Sequence, residues 1–273
     1  MKKIFLFLFV VALPLVATAF NGKAKVGGIW YNIVTKAERA EVTKPDVGSY
    51  SGVVRIPSTI VYEGVKCNVT SIGETAFAWG SMTSVVIPNS VTKIGALAFR
   101  WCKNLKSVTI PESVEEIGNG AFDGCYALTM ATLPKSLKAI EKSLFEGCYQ
   151  LKSIVIPDNV TKIGWWAFKG CRSLKSVEMG DKIEVIGMEA FQECEALSEI
   201  TLPNSVIEIE SNAFSGCKRL SKITLGRNVE KIGSSSFDGC GDLKDFYLTR
   251  AMLPDIVNNS EIFRGAEVEY ATL

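Results

Sequence analysis

Seven of the eight cysteines recur at a constant interval of 23 residues. The same interval separates seven phenylalanines, seven isoleucines and seven leucines in the same stretch. A fixed period of about 20 to 30 residues is typical of solenoids, in which each repeat forms one turn of a coil. The period therefore predicts columns of identical side chains that run along the coil. The cysteine column consists of Cys102, Cys125, Cys148, Cys171, Cys194, Cys217 and Cys240.

The repeating unit reads L-x-x-V-x-I-P-x-x-V-x-x-I-G-x-x-A-F-x-x-C-x-x. In one unit, Leu105, Val108 and Ile110 alternate with polar residues, as in a short strand with one buried face. We expect one strand per repeat, stacked into a parallel sheet and ended by a proline such as Pro111. The glycine that follows, Gly118 in this unit, is expected to take a positive φ in a turn. The Ala-Phe pair is expected to begin a short helical or irregular return segment.

The repeats divide the chain into four parts. Residues 1–19 are assigned to a signal peptide, 20–68 to a β-rich N-terminal cap, 69–250 to a leucine-rich repeat solenoid of about eight repeats, and 251–273 to a decayed repeat or C-terminal cap. A single repeat cannot bury enough apolar surface to fold alone, so stacking supplies the stability and the two ends need caps. Within the N-terminal part, an insertion around Tyr62-Glu63-Gly64 is expected to form a hairpin.

The first residues have the form of an export signal. Lys2 and Lys3 precede an apolar run over residues 4–16, and Ala17-Thr18-Ala19 supplies the small residues that signal peptidase requires. We expect cleavage after Ala19 and a secreted or cell-surface protein, with a periplasmic location as an alternative. The apolar run is shorter than the roughly 20 residues that span a bilayer, so no membrane insertion is expected.

Charge and histidine content exclude several classes of function. Thirty Lys and Arg stand against 29 Asp and Glu, a balance that creates no broad positive field for nucleic acid or an anionic membrane. Histidine is absent, which removes the commonest general base and the commonest metal ligand. No cofactor and no metal site are expected.

The repeating unit closely resembles the BspA-like leucine-rich repeat, the 23-residue class found in surface and secreted proteins. The resemblance covers about residues 53 to 250. It implies an α/β repeat solenoid: a right-handed coil with a parallel strand ladder on its concave face and short helical or irregular returns on its convex face. It also implies a non-enzymatic module of adhesion or host interaction.

The cysteine column favours packing over metal chemistry. A zinc site needs about four ligands that converge on one point, which a straight line of thiols does not provide. Neighbouring thiols at about 5 Å lie within the range of a disulfide, but parallel side chains give a poor dihedral angle. Free, buried thiols and disulfides both stay open, with free thiols favoured. Cys67 lies outside the register and is expected to be exposed.

Three groups of residues are candidates for binding a partner. Trp165 and Trp166 replace polar residues after a repeat glycine, and with Met188 they would form an exposed apolar patch. Tyr126, Tyr149 and Arg172, each directly after a cysteine of the column, could lie nearby. On the solvent side of the strands, Glu178 and Tyr247 break a column rich in threonine, and Glu199 adds to a charged end of this face. Each group also has a purely structural alternative. The tryptophans could simply pack over the return segment, and the residues of the strand face could reflect only the preference of such residues for exposed strands.

The sequence thus predicts an exported, non-catalytic module that binds a protein or glycoprotein ligand through a stiff surface. One alternative is a structural spacer within a larger surface protein. Another is a secreted enzyme acting on a carbohydrate or peptide, for which Glu178 and Glu199 would be the catalytic carboxylates.

Overall fold

The computed structural model describes residues 19–248, 261–262 and 269–272 of the chain. It is a parallel β-solenoid of about eight turns with almost no helix. One short 3₁₀ helix covers Thr35–Ala37. The strands are β1 (Asn21–Val26), β2 (Ile29–Val34), β3 (Arg39–Thr43), β4 (Ser51–Arg55), β5 (Thr59–Tyr62), β6 (Val65–Ile72), β7 (Ser81–Val86), β8 (Lys93–Ile94), β9 (Ser107–Thr109), β10 (Glu116–Ile117), β11 (Met130–Thr132), β12 (Ala139–Ile140), β13 (Ser153–Val155), β14 (Lys162–Ile163), β15 (Ser176–Glu178), β16 (Val185–Ile186), β17 (Glu199–Thr201), β18 (Glu208–Ile209), β19 (Lys222–Thr224), β20 (Lys231–Ile232), β21 (Asp245–Leu248) and β22 (Glu269–Thr272).

Each regular repeat contributes two strands, so the prediction of one strand per repeat is wrong. The predicted strand forms what we call the first ladder: β4, β7, β9, β11, β13, β15, β17, β19, β21 and β22. The second ladder contains β6, β8, β10, β12, β14, β16, β18 and β20, most of which are only two residues long. A two-residue strand is too short to show an alternating pattern in the sequence, which is why the pattern predicts only the first ladder.

The two ladders differ in continuity. The first ladder is divided into the parallel groups β4–β7, β9–β11, β13–β15 and β17–β19–β21–β22, with no strand pairing between one group and the next among the described residues. The second ladder is interrupted once, between β10 and β12. The pairing strands are in register one period apart, as in the pair Val108 with Ala131.

The return segments are irregular, and no α-helix occurs in the described part of the chain. The helical alternative and the α/β class are therefore wrong for these residues, and the solenoid is built from strands and turns. The reason lies in the backbone, because each return contains two residues in the left-handed region. In one turn these are Trp166, with φ 60°, and Gly170, with φ 72°. A residue at positive φ cannot continue a right-handed helix.

The repeat glycines serve close contact between turns, not a positive φ. Gly118 is not among the residues with positive φ, so that prediction is wrong. A Cβ atom placed on Gly118 would lie 2.4 Å from the backbone nitrogen of Ala96 in the preceding turn. A Cβ atom placed on Gly164 would lie 2.7 Å from the backbone nitrogen of Lys142 in the preceding turn. Glycine is needed here because the backbones of neighbouring turns approach too closely for a side chain.

The core consists of buried columns. The rings of consecutive phenylalanines stack nearly parallel, with centroids 5.0 to 5.7 Å apart. Beside them, each thiol of the cysteine column donates a hydrogen bond to the carbonyl oxygen of the phenylalanine one turn earlier, for example from Cys148 to Phe122 at 3.3 Å. These thiols are fully buried. The phenylalanines are Phe77, Phe99, Phe122, Phe145, Phe168, Phe191, Phe214 and Phe237.

The N-terminal strands extend the second ladder. β1, β2 and β3 form an antiparallel meander, and β3 pairs in parallel with β6. β5 and β6 form the hairpin expected around Tyr62-Glu63-Gly64, with Tyr62 opposite Val65. The role of residues 20–68 as a cap stays a prediction.

Two predicted segments fall mainly outside the described residues. Of the signal peptide predicted over 1–19, only Ala19 is described. Of the decayed repeat predicted over 251–273, residues 261–262 and strand β22 are described. Among the described residues, no helix has the length and apolar character needed to cross a bilayer.

Candidate binding surface

The solvent side of the first ladder forms a surface that we call the strand face. In a three-residue strand such as Ser153–Val155, the central side chain is buried and the two outer side chains are exposed. This alternation follows from the pleat, which turns successive residues to opposite sides of the sheet. The outer residues form two columns. The first residues of the strands are Ser107, Met130, Ser153, Ser176, Glu199, Lys222 and Asp245. The third residues are Thr109, Thr132, Val155, Glu178, Thr201, Thr224 and Tyr247.

A first cleft, which we call the apolar cleft, opens where β11 and β13 do not pair. It has a volume of about 520 Å³. Met130 and Val155 line it and are 56% and 58% exposed, although the turns on either side of each place polar residues in their columns. Ala131 and Leu133 contribute buried apolar surface to the same cleft. The sequence contained a signal for this site, because Met130 and Val155 interrupt polar columns.

A second cleft, which we call the acidic cleft, opens where β15 and β17 do not pair. It has a volume of about 530 Å³ and is lined by the carboxylates of Glu178, Asp181 and Glu199 and by one cation, Lys175. The structure therefore brings together the two glutamates that the sequence singled out. Tyr247 lies farther along the strand face, half-buried, with the Lys222 ammonium 5.3 Å from the centre of its ring.

The turn on one side of the acidic cleft contains a glycine that packs closely against the preceding turn. Gly180 stands where other repeats have proline, and its N–H donates a hydrogen bond to the Ile156 carbonyl at 3.1 Å. A Cβ atom at Gly180 would lie 2.5 Å from the Cα atom of Asp158. This turn is thus held closely against the preceding one, and the separation falls on its other side, between β15 and β17.

Trp165 and Met188 are joined by a carboxylate. A single oxygen of Glu210, Oε2, accepts two hydrogen bonds. One comes from the Trp165 indole N–H at 2.7 Å and the other from the Met188 backbone N–H at 2.8 Å. Trp165 is 42% exposed. Glu210 occupies a repeat-glycine position, and this bridge is a role that the sequence pattern did not reveal.

Trp166 lies differently from its neighbour. It is half-buried, and the Lys142 ammonium lies 4.5 Å from the centre of its ring. Its buried indole N–H has no hydrogen-bond partner within the described residues. Met188 is also half-buried, so Trp165 is the exposed member of this group, and the role of the group in binding stays a prediction.

Tyr149 and Arg172 belong to a separate row of side chains that we call the turn stack. The Tyr126 and Tyr149 rings stack 4.7 Å apart, and the Arg172 guanidinium lies 5.1 Å from the Tyr149 ring centre. Trp101 extends the row at 5.8 Å from Tyr126. Lys103 lies over both of those rings, at 5.0 and 5.5 Å. The sequence indicated the two tyrosines and Arg172 through their shared position after the cysteine, but not Trp101, which comes before it.

The cysteines carry no reactive site. All eight thiols are free and buried, so Cys67 is not exposed as expected from its place outside the repeat register. Its burial arises because Cys67 faces Ile60 across the β5–β6 hairpin, on the side that packs into the core. Burial raises the pKa of the Cys102 thiol to about 12 and raises the pKa of Cys67 as well. A protonated, buried thiol is a poor nucleophile and a poor metal ligand.

The described residues contain no cluster of His, Cys, Asp or Glu side chains placed to hold a metal ion.

Comparison with known proteins identifies the repeat. The BspA type leucine rich repeat region matches in six copies, over residues 70–197 and 166–265. The chain belongs to the BspA-type leucine-rich repeat family. BspA-type repeats are a family of protein-interaction modules, and the family and its structural relatives are non-catalytic repeat proteins. No curated protein matches the chain by sequence.

Solved bacterial leucine-rich repeat proteins share the fold of this BspA-type chain. A leucine-rich cell surface protein from Faecalibacterium prausnitzii is 25% identical, with a TM-score of 0.59 over 84% of this chain and 77% of that one. The leucine-rich repeat protein of T. pallidum is 26% identical, with a TM-score of 0.60 over 89% of this chain and 99% of that one. A protein from Eubacterium ventriosum is 28% identical, with a TM-score of 0.59 over 72% of this chain but only 50% of its own length.

Proposed function

We propose that this protein is exported and acts at the cell surface or outside the cell as a non-catalytic module that binds a protein or glycoprotein ligand through its strand face. The observation that carries the proposal is the exposed pair Met130 and Val155, which line one open cleft from two successive turns of the strand face. Exposed apolar side chains grouped around a concavity are typical of interaction sites. The family's character as an interaction module and the description of a relative as a cell surface protein support the same proposal.

The buried columns support this function by making the surface stiff. Each turn is fixed to its neighbours by stacked rings and by thiol-to-carbonyl hydrogen bonds. A preorganised surface binds with a smaller loss of conformational entropy than a flexible one. Ligand binding would therefore require little rearrangement of the strand face.

Binding to an array of extracellular glycoproteins and matrix proteins tests the proposal. We expect the secreted protein to bind at least one component, and the double variant Met130→Ser, Val155→Ser to lose that binding by tenfold or more while keeping its circular dichroism spectrum. Ile207→Thr is the matched control, because Ile207 is 42% exposed and directly precedes β18 of the second ladder, away from the strand face. Equal binding by all three proteins would contradict a role for the strand face.

Export is tested separately at the N-terminus. We expect the protein recovered from outside the cytoplasm to begin at Phe20, as cleavage after Ala19 requires. N-terminal sequencing of the protein from the native host makes the measurement, and an intact Met1 on the recovered protein would contradict it.

A further inference from the structure

The two clefts of the strand face form a pair of complementary character. We propose that they bind one extended peptide segment, which places an apolar side chain in the apolar cleft and a basic side chain in the acidic cleft, about 10 Å away. This inference rests on the proposed function and names the chemistry of the partner. It is carried by the composition of each cleft and by the distance between them.

The apolar cleft fits an aliphatic side chain. Met130 and Val155 present apolar surface to solvent from two different turns, and the nearly buried Ala131 also lines the cleft. The first ladder does not pair between β11 and β13 in the described part of the chain, and the cleft opens at this gap. Pockets that accept individual side chains give specificity to the recognition of extended peptides.

The acidic cleft fits a cation. Three acidic residues and one lysine line it, which gives the lining a formal net charge of −2. Among the ion pairs of the described residues, none involves Glu178, Asp181, Glu199 or Lys175. A guanidinium matches carboxylate oxygens with two parallel hydrogen bonds, so arginine is the favoured side chain.

The distance between the clefts sets the spacing of the two side chains. The apolar cleft lies between β11 and β13 and the acidic cleft between β15 and β17, which is two turns farther along the coil. With about 4.8 Å per strand, the centres of the clefts lie about 10 Å apart. A polyproline II helix rises about 3.1 Å per residue and returns to the same side every third residue. Side chains at positions i and i+3 of such a segment therefore match the two clefts.

Two native methionines allow each cleft to be observed directly. Met130 lines the apolar cleft and Met179 lines the acidic cleft, whereas Met82 is fully buried elsewhere. The experiment titrates the protein, labelled with ¹³C at the methionine methyl groups, with the peptide acetyl-Leu-Pro-Pro-Arg-amide and records NMR spectra. We expect saturable shifts of the Met130 and Met179 signals and none of the Met82 signal.

Three comparisons make the outcome specific. Replacing Arg of the peptide by Glu should weaken binding at least tenfold, and replacing Leu by Ser should remove the Met130 shift. In the protein, the pair Glu178→Gln, Glu199→Gln should weaken binding of the original peptide about tenfold. The matched control is Glu184→Gln, Glu230→Gln, two exposed glutamates two turns apart on the side of the second ladder, and it should bind as the wild type does.

The inference is overturned if the peptide shifts neither methionine signal, or if the Glu peptide binds as well as the Arg peptide. Its failure is distinguishable from failure of the proposed function. If binding of the array component still requires Met130 and Val155 while the peptide does not bind, only the chemistry assigned to the partner is wrong. If binding to the array does not depend on the strand face either, the proposed binding surface is wrong too.

Discussion

Cys148 and Tyr149 are neighbours in the sequence and belong to two columns that behave in opposite ways. The column of Cys148 is cysteine in seven successive turns and is fully buried. The next column is largely exposed and changes at nearly every turn, and its members are Lys103, Tyr126, Tyr149, Arg172, Glu195, Lys218 and Gly241. The buried column is constant because every turn offers the same space and the same carbonyl oxygen to the thiol. The exposed column is under no such constraint, and so it is available for recognition.

The largest expected effect comes from opening the buried phenylalanine column. Phe168 is fully buried between Phe145 and Phe191, at centroid distances of 5.7 and 5.2 Å. Phe168→Ala should lower the free energy of unfolding by about 3 to 5 kcal/mol, because the cavity cannot collapse between rigid turns. Urea denaturation measures the loss. Val155→Ala, an exposed change in the same repeat, should alter it by no more than about 0.5 kcal/mol, and equal losses would contradict the comparison.

A smaller loss of stability is expected where the backbones of neighbouring turns are in close contact. Gly118→Ala should lower the free energy of unfolding by about 1 to 3 kcal/mol, since the new Cβ atom would lie 2.4 Å from the Ala96 nitrogen. A Cβ atom at Gly241 would meet no other heavy atom within 4 Å beyond its chain neighbours, so Gly241→Ala serves as the control. Thermal denaturation of the two variants compares them directly. A neutral Gly118→Ala would show that the turns can separate freely.

The thiol column should make the protein sensitive to alkaline pH. Burial raises the pKa of Cys102 from 9.0 to about 12, so the folded state keeps the proton that the unfolded chain loses. The contribution to stability is complete below pH 9.0 and decreases as the pH rises toward 12. Above pH 9.0, Cys102→Ser should reduce the downward slope of stability against pH by about 1.4 kcal/mol per pH unit.

Urea denaturation at a series of pH values measures that slope. Ser107→Cys is the matched control, because it adds a thiol at an exposed position whose pKa should be the same in both states. An unchanged slope in Cys102→Ser would mean that this thiol ionises in the folded protein.

The smallest effect on stability is expected in the exposed column. Tyr149 contacts the Tyr126 ring and the Arg172 guanidinium at the surface. Tyr149→Ala should lower the free energy of unfolding by about 1 kcal/mol or less, in line with exposed ring and cation contacts. A double-mutant cycle with Arg172→Ala isolates the pair. A loss as large as that of Phe168→Ala would show that the turn stack is part of the core.

The sequence by itself determined the columns. The period placed cysteine on cysteine and phenylalanine on phenylalanine, and the alternation around Val108 predicted the first ladder and its exposed face. These features follow from the repeat alone, because equivalent residues in a coil of constant period must stack. The pairing of Tyr126 with Tyr149 follows for the same reason.

The tertiary structure decided how closely each turn approaches the next. The period does not distinguish a glycine used for positive φ from one used for close contact, and Gly118 proved to be the second kind. Nor does it reveal the clefts beside Met130 and Glu178, which lie where neighbouring strands of the first ladder do not pair. The bridge from Glu210 to Trp165 spans 45 residues and depends on the same spacing. Small separations between turns result from the packing of all side chains together, and no single repeat contains that information.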